Sequence, residues 1–396
     1  MTDRVRPLDV NPQPPRRGLM LATAAVVALG GFGLFLATGS LSPSTPTTTA
    51  EPPTPSTTTP PTVSAVPGDE LRRLVPGFQG TVRGIGLTED ETAFGWSWSS
   101  GDSEPRFSAL PDGAVGSWNG DGALIAAIGA SSFGSSLYFG PPTNVREVFN
   151  DVESFAWHST EPGTLALVTS PQSDGLRELW RSIPDDTTTR GTFNSSRVVR
   201  FDFDGFLAAY GDWGFALETV PPSGPRQLTT LNIDGDLVAQ GPLAYVDDFG
   251  DGRLLVATLP DGGNPHLAVV GLDLEAAEPT GPDGVVGQAV LSPNKRWVAS
   301  VTFPPEGTTL WLERVDGFNG EKITLGGDVV LPVGWSSDGR WILLKADSGQ
   351  ETGTRLIFFD TGSAAVHTVE AVDAVSGLSI HSTGVPGPAT FFVPGS

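Results

Sequence analysis

A short phrase recurs along this chain and constrains its fold more than any other feature: an apolar segment, a tight turn and an apolar strand. Its clearest copies lie at residues 334–344 (GWSSDGRWILL) and 291–299 (LSPNKRWVA). A further apolar strand follows each turn, at residues 356–359 and 310–312 respectively. Asp, Asn, Gly and Pro supply the backbone angles of tight hairpins. The phrase therefore predicts a repeat fold built from short strands.

The two clear copies and five looser ones place seven turns along the chain. They lie at Asp90, Asp121, Pro162, Asp204, Asp251, Asn294 and Asp338. Their mean spacing of about 41 residues is the period of a four-stranded propeller blade, whereas about 34 residues with helical patterning would indicate a helical solenoid. No long apolar run with a helical period follows residue 68. We predict an all-β propeller of about seven four-stranded blades, with six or eight as alternatives.

The two clearest turns resemble a known repeat family. Residues 292–297 (SPNKRW) and 336–341 (SSDGRW) are similar to the WD40-like propeller repeats of the TolB type. That family places a Ser-Pro-Asp-Gly-like turn before an apolar strand and then a Leu-Tyr/Trp-Val-like strand. The resemblance covers roughly residues 75 to 395 and implies a β-propeller. It implies no particular activity, because this repeat type serves many functions.

One apolar segment, residues 389–393, follows the seventh repeat. A propeller ring is closed when a strand from one end of the chain completes the sheet at the other end. We expect residues 389–393 to complete the sheet of the first blade and to remove an exposed sheet edge.

The N-terminal part has the composition of a membrane anchor. Residues 1–17 are polar and carry four arginines, and residues 18–38 form a run of 21 positions without a charged side chain. About 20 apolar residues in a helix cross a bilayer core, and preceding arginines predict a cytoplasmic N-terminus. We expect one transmembrane helix at 18–38, with the remainder of the chain outside the cell membrane. The twin-arginine-like segment at 15–20 keeps signal cleavage and secretion as the alternative.

Residues 39–67 join this segment to the repeats. Positions 40–67 hold 14 Ser/Thr and eight Pro among 28 residues, with one charged side chain. Such a composition cannot bury a core, so we predict a disordered, extended linker. The predicted organisation is a cytoplasmic tail (1–17), a transmembrane helix (18–38), the linker (39–67) and the propeller (68–396).

Charge limits the partners of the predicted outer part. Beyond residue 17 the chain carries 19 basic and 43 acidic residues, a formal net charge of −24. Such a surface repels phosphate backbones, which disfavours a nucleic-acid partner. The chain has no cysteine, so it has neither disulfides nor a lipidated cysteine. Arginine outnumbers lysine 20 to 3, a bias that suggests a bacterium with GC-rich DNA.

The sequence shows no catalytic constellation. No two of the histidines, His158, His266, His367 and His381, have the i, i+3 or i, i+4 spacing of metal ligands. His158 follows Trp157 in a strand and is expected to have a structural role or to lie at the surface. The segment nearest to a Gly-x-Ser-x-Gly nucleophile elbow, residues 334–338, fails at its last position. We therefore predict no catalytic residue and no cofactor.

Acidic turns and tryptophans supply the candidate site residues. Asp247, Asp248 and Asp251 form the best acidic loop, and Ca²⁺ takes six to eight oxygen ligands from such loops. The alternative is an ordinary hairpin turn, where Asp-Gly is favoured for backbone reasons. At least five of the ten tryptophans occupy equivalent strand positions and are expected to pack between blades. Trp98 and Trp213 lie where the repeat loosens and are the candidates for stacking on a sugar or peptide.

These observations favour a membrane-tethered, extracytoplasmic propeller that serves as a protein-interaction or ligand-binding module of the cell envelope. We expect a protein or glycan partner, and the oligomeric state stays open. The alternative is an exported propeller-type hydrolase or lyase that acts on sugars. That enzyme would require buried carboxylates with shifted pKa values in the central funnel.

Overall fold

The computed structural model describes residues 71–87, 92–103, 105–131, 134–182, 193–219, 226–258, 266–275, 279–280, 288–303, 308–316, 321–325, 329–347, 354–370, 374–382 and 391–392. The predicted tail (1–17), transmembrane helix (18–38) and linker (39–67) lie outside these residues. Within the described ranges, no helix has the length and apolar character needed to cross a membrane.

Short strands make up nearly all the regular structure of the described residues. In chain order the first elements are α1 (Leu71–Leu74), β1 (Gly80–Leu87), β2 (Ala93–Ser99), β3 (Arg106–Ala109), β4 (Val115–Trp118), β5 (Ile125–Ser131), β6 (Gly134–Gly140), β7 (Arg146–Asn150), β8 (Val152–Trp157), β9 (Leu165–Thr169), β10 (Arg177–Ser182), β11 (Ser195–Phe201), β12 (Phe206–Gly211), β13 (Gly214–Thr219) and β14 (Gln227–Leu231). The others are β15 (Leu237–Gly241), β16 (Leu243–Gly250), β17 (Arg253–Thr258), β18 (His266–Gly271), β19 (Pro279–Thr280), β20 (Ala289–Leu291), β21 (Trp297–Thr302), β22 (Thr309–Arg314), β23 (Glu321–Thr324), β24 (Val329–Trp335), β25 (Trp341–Asp347), β26 (Arg355–Asp360), β27 (Ala365–Glu370), β28 (Ala374–Ser382) and β29 (Phe391–Phe392).

The strands pair into seven antiparallel sheets, which we number as blades. Blade 1 has the order β28-β1-β2-β3, and blades 2 to 7 are β4–β7, β8–β11, β12–β15, β16–β19, β20–β23 and β24–β27. Each of seven hydrophobic clusters lies between two neighbouring blades. One of them joins blade 7 to blade 1. The sheets therefore close into a ring, and the predicted seven-bladed β-propeller is confirmed.

Tryptophans at the ends of first strands join each of three blades to the preceding one. Trp118, Trp157 and Trp335 end β4, β8 and β24. Their indole N–H groups donate to the Gly84 carbonyl, the Ser117 hydroxyl and the Val290 carbonyl, at 3.1, 3.0 and 3.1 Å. All three rings are buried. For these three tryptophans the predicted packing between blades is confirmed, with the polar edge of each ring satisfied.

The repeat turn is held by side-chain contacts to its own backbone. In blade 7, the Ser336 hydroxyl accepts the Trp341 amide at 2.8 Å, and Asp338 Oδ1 accepts the Arg340 amide at 3.1 Å. Blade 6 makes the same two contacts through Ser292 and Asn294, at 2.9 and 3.1 Å. In these two blades the acidic or amide residue of the turn therefore fixes the hairpin, as Asp and Asn do in turns generally.

The ring closes with a different strand from the one predicted. β28, not residues 389–393, pairs with β1 and completes blade 1. Phe391–Phe392 instead pairs with β8 of blade 3 and also contacts β4, β12 and β28 near the centre of the ring. The prediction was wrong because two apolar segments follow blade 7. The nearer one, β28, reaches the free edge of β1 first.

One of the seven predicted turns belongs to another position in its blade, and another lies outside the described residues. Asp204 lies between β11 and β12, in the connection from blade 3 to blade 4. The turn inside blade 4 is Asp212–Trp213, between β12 and β13. Asp90 lies outside the described residues, between the second and third strands of blade 1.

Candidate functional site

The turns between the first and second strands of blades 2 to 7 lie on one face of the ring, which we call the turn face. A cavity of about 530 Å³ opens there where blades 3, 4 and 5 meet, and it reaches the turn of blade 6. Its walls come from the C-terminal ends of β8, β12 and β16 and from the turns that follow them. We call it the turn-face cavity. Its volume lies in the usual range for sites that bind small molecules or side chains.

Candidate residues from separate parts of the sequence meet in this cavity. Asp247, Asp248 and Asp251 of blade 5 line it together with Trp213 of blade 4. The Trp213 indole N–H donates to Asp248 Oδ2 at 3.3 Å. The two groups were predicted for different reasons, yet the structure brings them into one site.

Irregular pairing in β16 accounts for the position of its two aspartates. Successive side chains of a regular strand point to opposite faces. The pairing of β16 with β17 shifts between Tyr245 and Asp247 and again between Asp248 and Gly250. Asp247 and Asp248 therefore both line the cavity, although they are neighbours in sequence. Such bulges commonly redirect side chains next to functional sites.

Asp247 uses its carboxylate to fix the backbone. Its Oδ1 accepts the Asp248 amide at 2.8 Å, and its Oδ2 accepts the Leu291 amide of blade 6 at 2.9 Å. Burial raises the pKa of Asp247, opposed by the nearby Lys295 ammonium and by these amides. Among the described residues, no three acidic or histidine side chains come close enough together to hold a metal ion. The structure thus gives these aspartates backbone and indole partners.

Lys295 lines the cavity from blade 6, and the sequence reasoning did not identify it as a site residue. Its backbone has a φ of 58°, a left-handed conformation that costs a residue with a Cβ roughly 1–2 kcal/mol. The equivalent position in blade 7 is Gly339, with a φ of 71°. The Lys295 ammonium donates to the carbonyl oxygen of Asp248. When residues 292–297 are aligned with residues 336–341, Lys295 takes the place of Gly339. A lysine at a turn position that favours glycine could have identified Lys295 as a site residue.

Tyr210 and Asp212 separate this cavity from a second one, of about 460 Å³, between blades 3 and 4. The second cavity includes His158, whose ring lies edge-on to the Tyr210 ring at a centroid distance of 4.6 Å. The Ser159 amide also donates to the Tyr210 carbonyl at 3.0 Å. Burial raises the pKa of the Tyr210 hydroxyl. These contacts hold blades 3 and 4 together beside the turn-face cavity.

His158 is a neutral, structural residue. Its side chain is 3% exposed. Its Nδ1 accepts the Thr160 and Glu161 amides at 3.3 and 3.0 Å, so Nε2 carries the proton of the neutral ring. Burial lowers the pKa of His158, opposed by Glu161, Asp212 and Asp248. The structural role expected from the sequence agrees with this position.

Protonation of His158 should destabilise the propeller at acidic pH. Because the folded-state pKa is lowered, this contribution is complete above the ordinary pKa of about 6.5 and is lost as the pH falls below that value. We expect His158→Asn, whose amide oxygen can accept the same two amides, to show a shallower loss of stability between pH 7 and pH 5. Urea unfolding at several pH values measures this. Equal slopes for both proteins would contradict the expected titration.

Trp98, the other aromatic candidate, does not face a cavity. Its ring is 1% exposed within the cluster that joins blades 1 and 7, and its indole N–H donates to the Asp102 carbonyl at 3.0 Å. A ring buried in this way cannot stack on a ligand, so this assignment is corrected. Its cluster also contains residues from the far end of the chain, on blade 7 and β28, which the local pattern around Trp98 does not show.

Comparison with known proteins identifies the fold alone. No protein-family model and no curated protein matches this chain. Among solved structures, a prolyl endopeptidase matches with a TM-score of 0.55 and 10% identity, over 75% of this chain and 50% of that one. TolB from Acinetobacter baumannii matches with a TM-score of 0.40 and 17% identity, over 65% of this chain and 67% of that one. Oligopeptidase B from Leishmania major has a TM-score of 0.48 and 10% identity, over 74% of this chain and 49% of that one. The chain thus spans half the length of the prolyl endopeptidase.

Proposed function

We propose that this protein is a membrane-tethered, extracytoplasmic binding module of the cell envelope, and that it takes its protein or glycan partner at the turn-face cavity. The observation that carries the proposal is the meeting of four blades around one open cavity with polar and aromatic walls. Loops from a rigid scaffold that converge on one cavity are the usual form of a binding site.

The position of the carboxylates favours binding over the alternative of a sugar-cleaving enzyme. Such an enzyme requires two carboxyl groups that flank the bond to be cut, one of them with a raised pKa. In the turn-face cavity, Asp247 has a raised pKa, but both its oxygens accept backbone amides. Burial also raises the pKa of Glu218, which lies outside the cavity lining and pairs with Arg226 at 3.3 Å.

Partner capture by matched variants tests the proposed site. The full-length chain is immobilised and used to recover partners from a membrane extract of its own cells, and the bound proteins and glycans are quantified. We expect Trp213→Ala to reduce recovery of the partner at least tenfold. Trp311→Ala is the control, because Trp311 is also half-buried but lies on β22, away from the cavity. If both substitutions reduce recovery equally, or if neither reduces it, a partner site in the turn-face cavity is contradicted.

The proposed location is tested separately from binding. Residues 18–38 would cross the membrane once, with the propeller outside. Protease added to intact cells should then degrade the propeller and spare the first 17 residues. Sequencing of the mature N-terminus distinguishes a retained anchor from a cleaved signal peptide. Protection of the propeller in intact cells, with degradation only after lysis, would contradict export.

A further inference from the structure

The turn-face cavity combines an excess of carboxylates with aromatic walls. Four aspartates line it, Asp212, Asp247, Asp248 and Asp251, against one lysine, Lys295. The formal charge of the lining is therefore −3. Trp213 and Tyr210 contribute their rings to the same walls.

The charge on Asp212 has no cationic partner among the described residues. Its side chain is 76% exposed at the cavity. Its Oδ2 accepts the Thr160 hydroxyl at 3.1 Å, and its Oδ1 lies 3.6 Å from Nε2 of His158. Both neighbours are neutral, because the pKa of His158 is lowered and its Nδ1 accepts two amides. Neither contact cancels the charge of the carboxylate.

Lys295 offsets the negative charge of the cavity lining only in part. Its ammonium donates to a carbonyl oxygen, that of Asp248, and its attraction for the Asp247 carboxylate only partly opposes the rise that burial causes in the pKa of Asp247. Within the described residues, no lysine or arginine forms an ion pair with Asp212, Asp248 or Asp251. Elsewhere in the same propeller, carboxylates are paired with arginine, as Asp360 is with Arg340 at 2.9 Å.

Trp213 is held beside this charge. Its indole N–H donates to Asp248, which fixes the ring next to a carboxylate, and the ring is half-buried. An aromatic face beside carboxylates attracts an organic cation through the ring quadrupole and through charge together. A small metal ion fits less well, because no three ligands converge within the described residues.

We propose that the turn-face cavity binds an organic cation, namely a guanidinium or ammonium group. The inference rests on the proposed binding function and names the chemistry of the ligand. The cation has two possible sources, an Arg or Lys side chain presented by a partner protein and a free polyamine. The aspartates supply the charge, Trp213 supplies the ring, and the volume of about 530 Å³ admits a long basic side chain.

Calorimetric titration of the full-length chain tests this chemistry with defined probes. N-acetylargininamide and the corresponding citrulline amide have nearly the same shape and differ in charge. We expect the arginine probe to bind at least tenfold more tightly, with an affinity that falls as salt is added. An Arg-rich peptide and spermidine distinguish the two sources: tighter binding of the peptide indicates a protein partner, and tighter binding of spermidine indicates a free polyamine. Equal affinity for the arginine and citrulline probes overturns the proposal.

Substitutions that are expected to change the affinity for the arginine probe in opposite directions distinguish recognition of charge from structural damage. Asp212→Asn and Asp248→Asn should each weaken binding of the arginine probe by about tenfold, the scale of one charge-assisted contact. Lys295→Met keeps the methylene stem, removes the positive charge and should tighten binding several-fold. Asp112→Asn, an exposed aspartate in the connection from blade 1 to blade 2, is the control and should change nothing.

The outcomes also distinguish this inference from the proposed function. If Lys295→Met weakens binding as the aspartate variants do, the charge argument fails. If Trp213→Ala abolishes capture of the partner while the arginine probe neither binds nor competes, the cavity is a partner site for a neutral ligand and the cation inference alone is overturned. If Trp213→Ala leaves capture unchanged and the arginine probe does not bind, both proposals fail.

Discussion

A chain that ends at residue 373 should fail to form the propeller. It lacks β28, the first strand of blade 1, which pairs with β1 from Gly80 to Gly86. Ile380 and Leu378 of β28 are almost fully buried, and burial of each such side chain contributes about 1.5–3 kcal/mol. With the lost strand pairing, we expect a loss above roughly 5 kcal/mol, comparable with the whole stability of a typical domain.

The backbone of β28 shows how closely it is fitted to the ring. Gly377 has a φ of 60°, and a Cβ at this position would lie 2.2 Å from the carbonyl oxygen of Gly116 in blade 2. Only glycine permits both the conformation and the approach. β28 therefore contacts blade 2 as well as blade 1, and its removal disturbs two neighbouring blades.

Thermal unfolding of two truncated chains measures this effect. The chain that ends at residue 382 keeps β28 and lacks β29, so it should unfold cooperatively within a few degrees of the full-length protein. The chain that ends at residue 373 should show no cooperative transition. Addition of a peptide with residues 374–382 should restore part of the transition. Similar melting of both truncated chains would mean that β28 does not close the ring.

Trp341→Ala should strongly destabilise the propeller through the cluster between blades 1 and 7. Trp341 is 1% exposed and lies edge-on to Phe78, with ring centroids 5.9 Å apart. Removing a buried Trp side chain typically costs about 3–5 kcal/mol, because contacts are lost and a cavity remains. The cluster also holds the last blade against the first, so the damage falls on the closure of the ring.

Urea unfolding compares this variant with a substitution at the surface. Leu237→Ala is the control, since Leu237 is 64% exposed on β15, and we expect a change within about 0.5 kcal/mol. The difference between the two variants in the free energy of unfolding should exceed about 2.5 kcal/mol. Comparable losses at Trp341 and Leu237 would contradict the arrangement of the core.

The repeat made most of the fold predictable, because the strands and turns of each of blades 2 to 7 come from one continuous stretch of about 40 residues. The turns at Asn294 and Asp338 were placed correctly, since their side chains bond to the adjacent backbone. Asp204 was misplaced because an acidic, Gly-containing connection between blades has the same local composition as a turn within a blade. Local composition does not distinguish the two, and pairing between strands does.

The site was predictable only in fragments. Asp247, Asp248, Asp251 and Trp213 were candidates from their sequence surroundings, but Tyr210 and Asp212 were not. The last two became candidates only when the His158–Tyr210 contact joined blades 3 and 4 beside the cavity. Trp98 is the opposite case. Its sequence surroundings predicted an exposed ring, but the ring is buried in a cluster that includes residues of blade 7.

The sequence alone predicted a propeller of about seven four-stranded blades and the backbone role of the repeat turns, because these depend on interactions between residues close together in the chain. Tertiary structure alone decided that β28 closes the ring and that residues of four blades share one acidic, aromatic cavity. Both depend on which distant segments meet. That is settled by the packing of the whole ring, in which Lys295 of blade 6 reaches back to Asp248 of blade 5.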